Sequence, residues 1–162
     1  HLFFKDSDLE TYDSNLKLSP PLRGEKDIQS LIKGLKDGVI DCVASSHSPN
    51  RFDDKDKDFY HAEAGVISLE TAFAATYTVL SKNNFSMGSI LNLFSLNPSK
   101  IMNLELCDIN IGSSAELVVI DPNKKWVVTD QDIYSKSNNT PFLNKELKGK
   151  VEFTINKNFL FG

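Results

Sequence analysis

Apolar positions along the chain change their spacing three times. Residues 1–24 show no period and contain the pair Pro20-Pro21, so they read as irregular. From residue 25, Ile28, Leu31, Ile32 and Leu35 recur at helical spacing. The stretch Gly24-Glu25-Lys26-Asp27 opens that helix and Gly38 suits its end. Residues 39–44, Val-Ile-Asp-Cys-Val-Ala, form a short apolar run that predicts a buried strand. Helix followed by core strand is the grammar of α/β proteins.

Residues 45–50, Ser-Ser-His-Ser-Pro-Asn, predict a polar turn-forming loop. Asp and Lys then alternate over residues 53–58, which reads as a solvated charged loop. Residues 65–80 form the longest apolar periodic segment, and Ala72, Ala74 and Ala75 favour helix within it. A further helix begins near Ser86 with Ile90, Leu91 and Phe94 apolar. Another begins at Asn97-Pro98, with Asn97 as cap, and runs to about Leu104.

From Ile109 the period becomes two. Residues 115–122 predict a strand and a turn, residues 125–128 a second strand, and residues 151–155 and 159–161 a hairpin around Asn156-Lys157-Asn158. The order is α/β first and all-β last, with a boundary near residues 104–112. These strands are too few to cover both of their faces, so both halves read as parts of larger units. The chain, which starts at His1, reads as a piece of a longer one.

Composition narrows the classes. The chain has 162 residues, 25% charged and 40% hydrophobic, as a soluble domain has. No apolar run is long enough for a membrane span. The net charge of −4 argues against a nucleic-acid surface. Two cysteines, Cys42 and Cys107, make neither a disulfide framework nor a CxxC motif. Cys42 reads as a small core residue in the predicted strand.

Several blocks carry a family resemblance: Lys17-Leu18-Ser19-Pro20-Pro21-Leu22-Arg23, Ser68-Leu69-Glu70-Thr71, Ser95-Leu96-Asn97-Pro98-Ser99-Lys100-Ile101, residues 111–122, and Ser135-Lys136-Ser137-Asn138-Asn139-Thr140-Pro141-Phe142. Together, in this order, they resemble the C-terminal part of dihydroorotases, in the amidohydrolase superfamily. The resemblance implies a (β/α)8 barrel with a small β-sandwich. Residues 1–108 would be the last barrel units and residues 109–162 the C-terminal part of the sandwich.

The resemblance also implies a reaction, the interconversion of carbamoyl-aspartate and dihydroorotate in cytoplasmic pyrimidine biosynthesis. Zinc would activate water and polarise the carbonyl. An aspartate at the end of the eighth barrel strand would touch the metal and shuttle the proton. The family's Asp-His-Ala-Pro-His at that point is Ser46-His47-Ser48-Pro49-Asn50 here. Ser46 therefore replaces the catalytic aspartate, and the loss of a general base costs about 10²–10⁴ in rate. Asn50 replaces a substrate-binding histidine, Ser19 a substrate-contacting asparagine, and Ala64-Gly65 the Phe-Gly that closes over the substrate.

No residue of this stretch is assigned as a metal ligand. His47 and His61 read as loop residues, and His1 aligns one place after a family ligand. Arg23 reads as a structural ion-pair partner and Trp126 as a packing residue of the sandwich.

Three functions remain open at this point. The first is a dihydroorotase-like protein with a degraded site and impaired or absent zinc, acting as a non-catalytic subunit or partner of aspartate transcarbamoylase in an oligomer, with no nucleic-acid or membrane role. The second is an active zinc-dependent dihydroorotase or related cyclic amidase. The third is an α/β chain related to the family by descent alone.

Overall fold

The computed structural model describes residues 1–106, 108–157 and 159–162. Cys107 and the hairpin residue Asn158 lie outside these. The amino-terminal segment is irregular apart from two 3-10 turns, Asp6–Thr11 and Ser14–Leu16. Helix α1, Glu25–Lys36, forms where the periodicity places it. It buries Ile28, Ile32 and Leu35, carries Glu25 and Asp27 in its first turn and Lys33 and Lys36 in its last, and is followed by Gly38 at φ 71°.

The predicted strand at residues 39–44 is a bend at 39–40, where both N–H groups donate to the Gly34 carbonyl, followed by an irregular segment that joins no ladder. Val39 is exposed, and the segment is tied instead by Val43 N–H to the Leu93 carbonyl and by the Asn97 side chain to the Asp41 carbonyl. A strand is defined by its neighbours, and no strand lies beside this one among the described residues.

The apolar segment at 65–80 divides. Helix α2 is a single turn at Phe52–Lys55, and the longer helix α3 covers only Ala72–Lys82. Residues 65–71 are bends and turns, with one parallel bridge pairing His47 and Val66. Helix α4, Met87–Phe94, is capped by Ser86, whose hydroxyl accepts the Ser89 N–H. Helix α5, Leu96–Ile101, starts two residues earlier than predicted. Its cap position is Ser95, because the Asn97 side chain is spent on Asp41.

The final third is an antiparallel sheet in the order β1-β2-β3, with β1 at Glu116–Val127, β2 at Glu146–Asn156 and β3 at Phe159–Phe161. The two strands predicted at 115–128 are one. The Asp121 carboxylate accepts the N–H groups of Asn123 and Lys124, making a local turn inside β1 that shifts the register against β2.

Two apolar clusters hold these elements. Phe4, Leu16, Leu22, Ala74 and Ala75 pack with Val128, Phe142 and Leu147, so the amino-terminal segment, α3 and β2 share one core. Residues from α1, α3 and α4 form the other, around Leu80 and Ile90, neither of which is exposed at all. Trp126 packs on the first cluster, with the Lys150 ammonium 4.7 Å from its ring centroid. Cys42 is a half-buried free thiol. Among the described residues no helix is long and apolar enough to cross a membrane.

Candidate functional site

Ser19, Ser46, Ala64 and Gly65, far apart in sequence, line one cleft of about 340 Å³. Phe3, Phe4, Val43 and Phe142 supply its apolar wall and His1 also lines it. Asn50 does not line this cleft but a neighbouring one. The sequence-predicted positions thus converge, with Asn50 turned into the framework between them.

Each position has a local cause. Ser46 sits in the left-handed region at φ 50°, where a non-glycine residue is uncommon. The chain turns there between the irregular segment and the bridge at His47. Gly65 has φ 128°, and a Cβ built on it would lie 2.5 Å from Ser48 Oγ. Only glycine fits there, because the 65–67 backbone lies directly against the 47–50 loop. Ser48 N–H donates to the Val66 carbonyl across this contact at 2.8 Å. The Ser19–Pro20 peptide is cis.

His47 serves this packing. Its Nδ1 accepts the N–H of Ser68 at 3.1 Å and of Leu69 at 3.4 Å. A ring nitrogen that accepts two main-chain N–H groups carries no proton, so Nδ1 is taken up in holding the backbone. The Nδ1 lone pair is therefore not free for a metal. The Ser68 hydroxyl closes the corner by donating to the Ser45 carbonyl.

Three residues that sequence reasoning passed over fasten the same corner. Asn139 is buried; its Nδ2 donates to the carbonyls of Ser48 and Gly65, and its Oδ1 accepts the Asn50 N–H. Lys55 belongs to the run read as solvated, yet it is only 6% exposed. Its ammonium donates to the carbonyls of Ser14, Glu63 and Gly65, at 2.5, 2.9 and 3.2 Å. The alternation of Asp and Lys hides this, because one turn of α2 points a single lysine inward. Glu70 accepts the N–H groups of Tyr134 and Ser135 on one carboxylate oxygen, while the other is buried without a partner. The presence of Asn139 and Glu70 in blocks that carry the family resemblance was the available signal.

The remaining candidates lie apart. His61 is exposed and pairs with Asp58 at 2.6 Å, a hydrogen bond that holds the Asp58 carboxyl below its usual value. Arg23, read as an ion-pair partner, meets no carboxylate among the described residues; its carbonyl accepts the Asp6 N–H instead. His1 Nε2 lies 2.7 Å from the Pro20 carbonyl and donates to it.

Among the described residues this corner offers few donors to a resident zinc. Ser46 is a neutral hydroxyl, His47 Nδ1 accepts two main-chain N–H groups, and the Asn50 amide donates to the Ala64 carbonyl at 3.3 Å. Among the described residues no group of three or more His, Cys, Asp or Glu is placed to hold an ion. What the corner does chemically is position: it offers small hydroxyls against an aromatic wall.

No family model matches the chain. A protein named dihydroorotase from Elusimicrobium minutum (strain Pei191) is 40% identical over 156 residues, covering 96% of this chain and 36% of that protein. Another, from Caldicellulosiruptor saccharolyticus, is 43% identical over 145 residues, 89% of this chain and 34% of its own length. Among solved structures, an L-hydantoinase (dihydropyrimidinase) from Arthrobacter aurescens superposes with a TM-score of 0.84 over 98% of this chain and 37% of its own, at 23% identity. A D-hydantoinase from Thermus sp. gives 0.79, 21% identity, 99% of this chain and 37% of its own. At such identity these two speak for the fold alone. The chain spans about a third of the length of the curated relatives it matches. Over nearly its whole length the chain is similar in sequence to proteins named dihydroorotase, and its fold is that of a C-terminal-like portion of an amidohydrolase (β/α)8 enzyme.

Proposed function

We propose that the protein containing this chain is a dihydroorotase-like component of cytoplasmic pyrimidine biosynthesis that has lost hydrolytic activity. It acts as a non-catalytic subunit beside aspartate transcarbamoylase. The observation that carries the reading is Ser46, a neutral hydroxyl at the position where the resemblance calls for a carboxylate. A general base must change protonation state near neutral pH, and a serine hydroxyl does not. The commitment of His47 Nδ1 to two main-chain N–H groups supports it, because no neighbour takes over the missing role. Asn50 for histidine and Ala64 for phenylalanine, in the same corner, agree with a pocket no longer shaped for a dicarboxylic substrate. Residues 1–108 are then the barrel share and residues 109–162 the sandwich share of this subunit.

The test is a pair of measurements on the intact protein. Metal analysis is expected to find zinc far below one equivalent, and a dihydroorotate hydrolysis assay to find no turnover above background. Stoichiometric zinc with measurable hydrolysis would overturn the reading in favour of an active cyclic amidase. Co-sedimentation with aspartate transcarbamoylase tests the partnership separately: a stable complex is expected, and independent sedimentation of the two proteins removes that part of the proposal.

A further inference from the structure

Asn50 lines a second cleft, of about 670 Å³, with residues 14–15, 51–52, 55–56 and 136–139. Its wall bears three cations, Arg51, Lys55 and Lys136, against one carboxylate, Asp56. Lys55 is the unusual member. It is 6% exposed, and its three donors are all engaged by carbonyls, which requires the charged form. No carboxylate among the described residues lies within ion-pairing distance of it. Burial and the charge of Lys17 disfavour its proton, while Asp13 and Glu63 support it only through space. The direct partners of this buried cation are all carbonyl dipoles, and its two carboxylate neighbours stand beyond ion-pair distance, so part of its positive field reaches the nearest surface.

That surface is this cleft, and it carries free donors. Among the described residues the ammonium of Lys136 and the side-chain amide of Asn138 have no hydrogen bond or ion pair. Arg51 stands nearby, held only by an exposed pair with Asp53 at 3.6 Å. We propose that this cleft binds a small oxyanion group, a phosphate or a carboxylate, gripped by Lys136 and Asn138 above the buried charge of Lys55. The ligand adds negative charge to a wall on which cations outnumber carboxylates three to one. This site does not depend on whether the first cleft is catalytic.

The experiment is calorimetric titration of the intact protein with inorganic phosphate and, separately, with succinate, at constant ionic strength in potassium chloride. Saturable binding of either anion is expected, and the tighter of the two identifies the oxyanion class. Lys136→Met weakens it about tenfold or more, the scale of one charge-assisted hydrogen bond. Lys82→Met, which removes an exposed charge on α3, leaves it unchanged. Absence of saturable binding by both anions overturns the site. So does binding indifferent to Lys136→Met, or weakened equally by Lys82→Met. Lys55→Met is expected to abolish binding where the variant folds, and Lys136→Met decides where it does not.

Discussion

The corner around Gly65 and the β1-β2-β3 sheet hold their backbones by opposite means. In the sheet, main chain pairs with main chain in a ladder, and side chains such as Val118, Phe153 and Phe161 are left exposed. At the corner there is hardly any ladder, only one bridge, and side chains do the joining: His47, Lys55, Glu70 and Asn139 each bind main-chain groups of other segments. A ladder tolerates most substitutions because its bonds belong to the backbone. A corner joined by side chains fails one residue at a time. Residues whose types suggest chemistry can therefore be struts, and His47 and Lys55 are both.

The sharpest way to break this contrast is Gly65→Ala. A Cβ 2.5 Å from Ser48 Oγ at φ 128° leaves no relaxed solution, and a loss above about 3 kcal/mol is expected in chemical denaturation. Lys55→Met should follow at about 3 kcal/mol, since three inward carbonyls lose their donor at once. Asn139→Ala should cost about 2 kcal/mol, with faster hydrogen exchange at Asn50 and Ile67 as its local sign.

The sheet side supplies the smaller effects. Burial raises the pKa of Asp132, but hydrogen bonds from Lys150 and Thr129 outweigh this and hold it below its ordinary 3.8. A depressed acid contributes stability that is present above its unfolded value and lost as pH falls through the folded one. Stability should thus decline below about pH 4, and Asp132→Asn should remove that limb from a pH series of unfolding midpoints. Val118→Thr, on the exposed face, should change stability by less than about 0.5 kcal/mol. A large loss there would show that the sheet depends on side chains as much as the corner does.

The same contrast explains what could be read in advance. Helix α1, helix α4 and the β2-β3 hairpin were legible because their signals are local: Ile28, Ile32 and Leu35 on one face, Ser86 at a cap, alternation before a turn. The residues of the first cleft were legible only through the family resemblance. The strand expected at 39–44 failed because strand identity lies in neighbours. Lys55 and Asn139 were missed because their partners lie up to 91 residues away, and no local period records such a bond.

The bend at Ser46 carries a further consequence. Aspartate and asparagine are several-fold enriched among side chains that accept left-handed backbone, and serine is not among the favoured types. The peptide at this corner therefore suits an aspartate better than the serine it holds. Ser46→Asp should be accepted without rearrangement, so that the carboxylate whose absence carries the proposed function is one side chain away.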